Sequence, residues 1–373
     1  MEGLVDSMGI VDDLQSYYQG RRVLVTGSTG FKGTWLCRML LLLGAEVCGY
    51  ALEPPTNPSL WHIAQMDGVV KNQIADIRDS KTLATVFNDI QPQAVFHLAA
   101  QPLVIDGYEN PRYTYETNVM GTVNVLECMR ECSATTSFLN VTTDKVYENL
   151  ERPGYGYRED DKLDGFDPYS NSKSCSEIVT HCYAKSFFAK GVQGDAAGRC
   201  AISTARAGNV IGGGDYSANR IVPDCVRAVQ AHQPMIIRNP NSVRPYQHVL
   251  EPLVAYLRIV AGQEEDASLA GWYNIGPDDK DCITTGELVK LFAEYWGKDF
   301  IFEVGNVNGP HEANFLKLDN SKAKESLKWH PIWGVEEAIA RTVEWTREWL
   351  TGGDAKAANC MDKQINDYLG ALS

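Results

Sequence analysis

Two residues that stand four positions apart, Tyr169 and Lys173, give the first chemical signal in the sequence. Their Y-x-x-x-K spacing places both side chains on the same face of a helix, one turn apart. A phenol ordinarily has a pKa of about 10, and an adjacent ammonium group lowers that pKa by about 1–3 units. We therefore predict that Tyr169 accepts a proton from a hydroxyl group while a hydride leaves the same carbon. Because Y-x-x-x-K also occurs by chance in many helices, the prediction depends on the motifs that accompany it.

A glycine-rich turn near the N-terminus predicts a dinucleotide site. Gly27, Gly30 and Gly33 form a G-x-x-G-x-x-G pattern directly after an apolar, β-branched segment and directly before a segment of helical composition, which is the context that gives the motif its meaning. Glycines let the backbone approach a pyrophosphate, whose charge is met by N–H groups at the helix N-terminus. The alternative is a tight turn that binds no ligand. Three further residues of the turn are predicted cofactor contacts, namely Thr29, Phe31 and Lys32.

The end of the second apolar segment bears on the choice between NAD and NADP. An acidic residue at this position would bind the adenosine ribose hydroxyls of NAD, but residues 47–51 are uncharged and Glu53 lies further along the chain. No Arg follows to hold a ribose phosphate, which favours NAD, although Lys32 inside the turn leaves NADP open. The sequence therefore predicts NAD, bound with modest affinity.

An acidic and a basic residue, Asp144 and Lys145, stand side by side after Thr142 and Thr143. Such a pair suits the elimination of water next to a ketone, which needs a proton donor for the leaving hydroxyl and a group that removes or stabilises the neighbouring charge. We assign the donor role to Asp144, since burial raises the pKa of a carboxyl group. Lys145 is either the base or a cation that holds the enolate oxygen. The alternative for the couple is a surface ion pair in a loop.

The elements that must position these residues alternate between strands and helices. Four short apolar segments are separated by stretches of helical composition, which indicates a parallel sheet with helices on both faces. These segments are residues 23–25, 46–50, 94–98 and 137–141. We therefore predict an α/β fold with a doubly wound parallel sheet of the Rossmann type.

The chain is predicted to contain two domains. Residues 17–206 form the NAD-binding domain, and a later segment near residues 246–260 returns to it. After Arg206 the regular alternation gives way to loops rich in Gly, Pro and Asn. Residues 207–373 are therefore assigned mainly to a smaller α/β domain that binds the substrate.

Composition and charge exclude several classes of partner. The chain has 373 residues and a formal net charge of -14, which opposes nonspecific attraction to nucleic acid and to anionic membranes. An anionic ligand then requires a local positive pocket. The longest apolar run, residues 39–43, is too short to cross a bilayer. We expect no nucleic acid, membrane or metal partner.

The cysteines and the N-terminal segment bear on localisation. The ten cysteines are scattered and contain no C-x-x-C pair, which indicates reduced thiols rather than a disulfide framework. Residues 1–20 show no basic region followed by an apolar run, so no secretory signal is expected. The sequence predicts a cytoplasmic protein.

Together these motifs resemble the nucleotide-sugar 4,6-dehydratases of the extended short-chain dehydrogenase/reductase type, within the NAD-dependent epimerase/dehydratase family. The resemblance runs over nearly the whole chain. Its most specific segments are residues 26–33, 52–60, 143–145, 167–173, 206–215, 237–240 and 244–249. The Asp144–Lys145 couple is the sharpest of them, because relatives that act on dTDP-glucose carry Asp-Glu and simple epimerases carry small neutral residues there.

The resemblance implies a lyase that acts on CDP-glucose. NAD would remove a hydride from C4, water would leave across C5 and C6, and the hydride would return to C6 to give CDP-4-dehydro-6-deoxyglucose. The resemblance also implies a homodimer, built from the helix after Pro111 and the helix that carries Tyr169. Thr143 would join Asp144, Lys145 and the Tyr–Lys couple in catalysis.

The resemblance also assigns binding residues. Further cofactor contacts would be Asp76, Ile77, Leu98, Ala99, Ala100 and Asn118, with a solvated acidic loop as the alternative for Asp76. Nucleotide-sugar contacts would be Gln101, Asn209, Arg220, Arg238, Arg244, His248 and His311. Guanidinium groups suit phosphate oxygens, although a surface ion pair is the usual alternative for an arginine. For His97, a structural role is favoured over a catalytic one.

Other functions stay open at this point. They are a 4,6-dehydratase for another nucleotide sugar, a sugar-nucleotide 4-epimerase, and a non-catalytic NAD-binding sensor. Asp144 and Lys145 argue against the epimerase, and the intact Tyr169–Lys173 couple argues against the sensor. Ile105 and Gly107 replace the Arg and Ser that are usual in relatives, so the identity of the hexose is less firmly predicted than the reaction.

Overall fold

The computed structural model describes residues 9–305 and 315–372, and a parallel sheet lies at its centre. The strands of the described chain are β1 (Arg22–Thr26), β2 (Glu46–Ala51), β3 (Lys71–Ile74), β4 (Ala94–His97), β5 (Ser137–Thr142), β6 (Ala201–Ala207), β7 (Val210–Ile211), β8 (Met235–Ile237), β9 (Val243–Pro245), β10 (Gln247–His248), β11 (Trp272–Ile275), β12 (Cys282–Thr284) and β13 (Phe302–Val304). Seven of them form the main sheet in the order β11-β6-β5-β4-β1-β2-β3.

Thirteen α-helices connect and cover the strands within the described residues. They are α1 (Ile10–Tyr18), α2 (Phe31–Leu42), α3 (Leu60–Ile63), α4 (Ser80–Ile90), α5 (Val104–Glu109), α6 (Pro111–Tyr115), α7 (Gly121–Glu131), α8 (Pro168–Tyr183), α9 (Ile221–Ala231), α10 (Leu250–Glu265), α11 (Thr285–Trp296), α12 (Ser321–Leu327) and α13 (Val335–Gly370). A π-helical turn, Glu116–Met120, joins α6 to α7, and α13 is kinked at Gly353. No helix in the described part of the chain is long and apolar enough to span a membrane.

Every pair of neighbouring strands in the main sheet is parallel, which confirms the predicted doubly wound α/β fold. The chain builds outward from β1 in one direction through β2 and β3, and then in the other direction through β4, β5, β6 and β11. The order therefore reverses between β1 and β4. In open parallel sheets, ligands bind outside the carboxyl ends of the strands at such a reversal.

The strands are apolar because both faces of the sheet are buried. In β1, Val23 and Val25 pack into one core cluster with α2 and α10, whereas Leu24 packs into a second cluster with α4 and α7 on the other face. Side chains alternate across a strand, so a helix layer on each side requires apolar residues at consecutive positions. The short Val-Leu-Val run follows directly from this two-sided burial.

The smaller region has its own core. Three two-stranded pairs, β7–β10, β8–β13 and β9–β12, surround the cluster formed by α9, α11 and the first half of α13. Two segments beyond residue 207 nevertheless lie on the main sheet: α10 packs on β5 and β6, and residues 272–275 add the edge strand β11. The domain limits set from the sequence stay a prediction.

Candidate active site

The glycine turn lies at the reversal between β1 and β4 and leads into α2. Gly27 has a φ of +73°, and a Cβ atom there would stand 2.8 Å from the backbone nitrogen of Ala99. A Cβ atom on Gly33 would overlap the carbonyl oxygen of Gly27, so this glycine lets α2 pack against the turn. The hydroxyl of Thr29 donates to the carbonyl of Leu52 at 2.8 Å and ties the turn to the end of β2. The turn therefore leaves a backbone cradle at a helix N-terminus, which fits a pyrophosphate.

The predicted adenine position lies after β3. Arg78 forms an ion pair with Asp76 at 2.7 Å, and this hydrogen-bonded partner lowers the pKa of the Asp76 carboxyl group. Ile77 is buried beneath α7, where a Cβ atom on Gly121 would stand 2.7 Å from its Cγ2. Asp76 and Ile77 are thus held in position by contacts with other residues of the chain.

His97 at the end of β4 is a buried, fully hydrogen-bonded histidine. Its Nδ1 lies 2.7 Å from the hydroxyl of Thr26, and its Nε2 lies 3.1 Å from the hydroxyl of Thr122. Burial, together with the charge of Lys173, lowers the pKa of His97 to about 3. The ring is therefore neutral near pH 7 and has the geometry of the structural role that was favoured for it.

The residues after β4, Leu98, Ala99 and Ala100, line the edge of the sheet beside the glycine turn, where the N–H of Ala99 donates to Thr26 Oγ1 at 3.2 Å. The two polar residues predicted as ligand contacts here bond within the protein. Asn118 donates to the carbonyl of Gln101 at 3.1 Å and to Ser172 Oγ at 2.8 Å.

The side chain of Gln101 forms two hydrogen bonds in this region. Its side-chain Nε2 donates to Thr114 Oγ1 at 2.9 Å, and its side-chain Oε1 accepts from the N–H of Leu103 at 2.5 Å. Asn118 and Gln101 thus fasten the loop after β4 to α6 and α8. In the described structure their side chains hold other elements in position.

Tyr169 is the second residue of α8, whose start is well defined. Asp167 caps the helix by accepting from the N–H of Ser170 at 3.0 Å, and Pro168 occupies the first helical position. Gly107 lies close beside this turn, since a Cβ atom on it would stand 3.1 Å from the backbone nitrogen of Tyr169. The replacement of the usual Ser by Gly107 thus falls directly against the catalytic candidate.

The electrostatics of Tyr169 differ from the prediction. Burial raises the pKa of Tyr169 to about 12, although a hydrogen bond with Thr143 and the charge of Arg220 act to lower it. The prediction that Lys173 lowers this pKa is wrong for the chain itself. The ammonium of Lys173 donates instead to the carbonyl of Val141 at 3.1 Å, and burial lowers the pKa of Lys173 to about 8.

Asp144 is buried at the start of a short 3-10 turn after β5, with a relative exposure of 1%. One of its oxygens, Oδ1, accepts from the hydroxyl of Thr143 at 2.9 Å. The other, Oδ2, has no hydrogen-bond partner among the described residues. Lys145 follows in the same turn and is partly buried. The Asp–Lys couple is therefore not a surface ion pair.

Lys32 of the glycine turn faces this group and not the adenosine end. Burial lowers its pKa to about 8, and the charges that act on it are those of Arg220 and Asp144. Its own charge in turn lowers the pKa of Lys173. Because Lys32 stands on the catalytic side, it no longer argues for the ribose phosphate of NADP.

The predicted phosphate ligands are distributed unevenly. Arg220 pairs with the buried Asp215 at 3.0 Å, and its charge acts on the pKa of Tyr169. It therefore belongs with the candidate catalytic residues around Tyr169 and Asp144, which we call the catalytic group. Arg238 is partly exposed and lies 3.5 Å from the side chain of Asn219, at the loop that precedes α9. Arg244 is buried in β9, where its guanidinium donates to the carbonyl of Val243 at 2.9 Å.

Asn209 follows β6 and has a φ of +25°, and its carbonyl accepts from the N–H of Gln247 at 3.3 Å. His248 is not brought to the catalytic group: it is completely buried, with ring centroids 5.8 Å from Trp35 and 5.0 Å from Trp333. His311 lies outside the described residues.

Three basic residues lie near one another: the charge of Arg220 acts on the pKa of Lys32, and the charge of Lys32 acts on the pKa of Lys173. Arg220 also pairs with Asp215. A protein with a net charge of -14 thus has a local group of positive side chains, as an anionic ligand requires. Sequence reasoning missed the role of Lys32 in it, and it included Asp215 only within the family segment 206–215, without a role of its own.

Comparison with known proteins agrees with this geometry. The family model described as GDP-mannose 4,6 dehydratase matches residues 24–342. The chain is 44% identical, over 96% of its length and 99% of the relative, to CDP-glucose 4,6-dehydratase of Salmonella typhimurium. Among solved structures it resembles UDP-glucose 4-epimerase of Thermus thermophilus in complex with NAD, with a TM-score of 0.74, 25% identity, and coverage of 87% of this chain and 99% of that one. It also shares its fold with dTDP-glucose 4,6-dehydratase of Bacillus anthracis, with a TM-score of 0.71, 21% identity, and coverage of 88% and 97%.

Proposed function

This chain belongs to the GDP-mannose 4,6 dehydratase family, and on that premise we propose that it is an NAD-dependent lyase that converts CDP-glucose to CDP-4-dehydro-6-deoxyglucose and water. The observation that carries the proposal is the position of Asp144. A buried carboxyl group shares a hydrogen-bonded cluster with Thr143 and Tyr169, and its charge acts on Lys32 of the glycine turn. An epimerase that only moves a hydride has no use for a proton donor there.

NAD fits the residues at the reversal of the sheet. The cradle formed by Gly27 and Gly33 would hold the pyrophosphate, and Asp76 with Ile77 would border the adenine. Bound NAD would supply the acceptor for the hydride from C4 and the donor of that hydride to C6, while a proton returns to C5. The polar residues of the chain carry the accompanying proton transfers.

Tyr169 is the proposed base for the C4 hydroxyl. A phenol must lose its proton to act in this way, and burial alone opposes that loss. The charge of Arg220 acts against the effect of burial, because a nearby cation stabilises a phenolate. A hydrogen bond between Thr143 and Tyr169 acts in the same direction.

Asp144 and Lys145 are the proposed pair for the loss of water. The C5 proton passes to a base, and the C5–H electron pair forms the C5=C6 double bond. The C6–O bond breaks as its oxygen takes the proton of Asp144 and leaves as water. Lys145 either removes the C5 proton or holds the enolate oxygen at C4, and both roles require it to face the sugar.

The nucleotide is proposed to lie against the arginines of the smaller region. The charge of Arg220 acts on Tyr169, Arg238 directly follows β8, and Arg244 lies in β9. Guanidinium groups bind phosphate oxygens through paired hydrogen bonds. The preference for the cytosine base rests on the Salmonella relative.

We also propose a homodimer in the cytoplasm. The predicted interface is formed by the helix after Pro111, which is α6 with the π-helical turn that follows it, and by α8. Both expose apolar side chains: Met120 at the end of the π-helical turn is 51% exposed, and Ile178 of α8 is 54% exposed. Two such helices from each copy would cover these side chains in a symmetric contact. All ten cysteines are free thiols, as suits a reducing compartment.

One assay tests the proposed reaction directly. The purified chain is offered CDP-, dTDP-, GDP- and UDP-glucose in parallel, with and without added NAD, and the products are weighed by mass spectrometry. We expect CDP-glucose to give a product lighter by one water and the others to react poorly. A product of unchanged mass would indicate an epimerase, and NAD binding without turnover of any sugar would indicate a sensor.

A further inference from the structure

Gly208 and Asp144 leave the sheet side by side. Strands β5 and β6 are parallel neighbours, and Thr142 at the end of β5 is paired with Arg206 near the end of β6. β5 ends at this pair, and β6 ends one residue beyond it. Gly208 and Asp144 therefore meet at the carboxyl edge of the sheet, although they lie far apart in the sequence.

A side chain at position 208 has no room. A Cβ atom on Gly208 would overlap Oδ2 of Asp144 and would stand 2.5 Å from its Cγ. Gly208 is not among the described glycines with positive φ, so its backbone conformation suits any residue. The glycine is needed at this position for space, and the atoms that require the space are those of the Asp144 carboxyl group.

Asp144 cannot easily move aside. It is buried, its Oδ1 accepts from Thr143 at 2.9 Å, and it starts the 3-10 turn Asp144–Val146. Its Oδ2 points at Gly208 and has no hydrogen-bond partner among the described residues. An unsatisfied buried oxygen is unfavourable for stability, so its retention points to a use in function.

We propose that Gly208 is a positioning residue for the proton donor: its missing side chain leaves the space in which Oδ2 of Asp144 meets the C6 hydroxyl of the sugar. The inference rests on the proposed role of Asp144 in the loss of water. It adds a residue that touches no substrate and acts only through the direction of the carboxyl group. Any larger residue at position 208 would turn Oδ2 away from the sugar.

The test compares Gly208→Ala with Gly276→Ala as a matched control. Gly276 directly follows β11, the strand next to β6 in the sheet, and a Cβ atom there would make an ordinary contact of 3.5 Å with Leu318. We expect Gly208→Ala to lower steady-state turnover of CDP-glucose by about 10²-fold or more, the size of a lost acid–base contribution. Oxidation at C4 should survive, so reduced cofactor should accumulate during a single turnover. The control variant should show neither effect.

A double-variant cycle separates positioning from general damage. Asp144→Ala removes the atoms that Gly208 accommodates, so Gly208→Ala should cause no further loss of turnover or of thermal stability in that background. An equal loss in both backgrounds, or normal turnover of the single Gly208→Ala variant, would overturn the inference alone. Normal turnover of Asp144→Ala without accumulated reduced cofactor would instead overturn the proposed role of Asp144, and the inference with it.

Discussion

Arg206 and Glu177 form a buried, bidentate ion pair beneath the catalytic group. The Nε of Arg206 lies 2.9 Å from both oxygens of Glu177, and its Nη2 lies 2.5 Å from Oε2. Glu177 stands one helical turn after Lys173 on α8, while Nη1 of Arg206 donates to the hydroxyl of Tyr147 at 2.5 Å. The pair thus connects the helix of the Tyr–Lys couple to the loop that carries Asp144.

The Glu177→Gln variant tests how much stability depends on this pair. Removal of one charge leaves a buried guanidinium without its counter-charge, and we expect the free energy of unfolding to fall by about 3–5 kcal/mol. Urea denaturation followed by circular dichroism measures the change. The control is Glu177→Met combined with Arg206→Met, which removes both charges and should recover most of the loss. A double variant as unstable as the single one would contradict the account.

The Tyr169→Phe variant should stop the reaction at its first step. Without the phenolic oxygen the C4 hydroxyl keeps its proton, so we expect turnover to fall by about 10²–10⁴-fold with no reduced cofactor formed. Thermal unfolding should stay close to that of the native protein. Tyr115→Phe is the matched control. The hydroxyl of Tyr115 donates at 2.9 Å to the side chain of Asn171, which lies on α8 as Tyr169 does. Full activity of Tyr169→Phe would refute the assignment.

Local sequence patterns predicted the parts of the site that depend on neighbours along the chain. The glycine turn is recognisable because its three glycines fall between a strand and a helix, and the Tyr169–Lys173 couple because four positions make one helical turn. The parallel sheet followed from apolar segments that alternate with helices. Each of these signals is complete within a few residues.

The rest of the site depends on which strands become neighbours, and no short pattern carries that information. Gly208 meets Asp144 only because β6 pairs with β5. The family resemblance predicts His248 as a ligand contact, yet packing places it between Trp35 and Trp333. The pKa of Tyr169 likewise depends on burial, which is set by the complete fold and not by the spacing of one motif.

Arg220→Gln should weaken binding of the nucleotide sugar. The loss of a charge-assisted bond to phosphate is worth about 1.5–3 kcal/mol, so we expect the KM for CDP-glucose to rise by about 10–100-fold. Arg227→Gln is the matched control on the same helix, because Arg227 is exposed and its guanidinium is paired with Asp224 of α9. Initial rates over a range of substrate concentrations measure both variants. An unchanged KM in Arg220→Gln would remove this arginine from the phosphate site.

Glu251 lies far from the catalytic group and makes stability depend on pH. It is completely buried on α10, where Oε1 accepts from the N–H groups of Ile332 and Trp333 and Oε2 accepts from the hydroxyl of Tyr368. Burial raises the pKa of Glu251 to about 7 and outweighs these hydrogen bonds, while the charge of Asp281 adds to the increase. The carboxyl group thus links α10 to α13 and to the segment before α13, and its protonated form is favoured over the ionised one.

The sign of the effect follows from comparison with the unfolded chain, in which a glutamate has a pKa of about 4.3. The folded state holds the proton more tightly, so the contribution of Glu251 to stability is complete below about pH 4 and is lost as the pH rises through about 7. Glu251→Gln keeps the acceptor oxygen and a polar partner for Tyr368 but cannot ionise. We therefore expect the Tm of the variant, minus that of the native protein, to increase between about pH 5 and about pH 8. Glu265→Gln, at the exposed end of the same helix, should show a difference that does not change with pH, and the same constancy in Glu251→Gln would mean that Glu251 is already ionised in the folded protein.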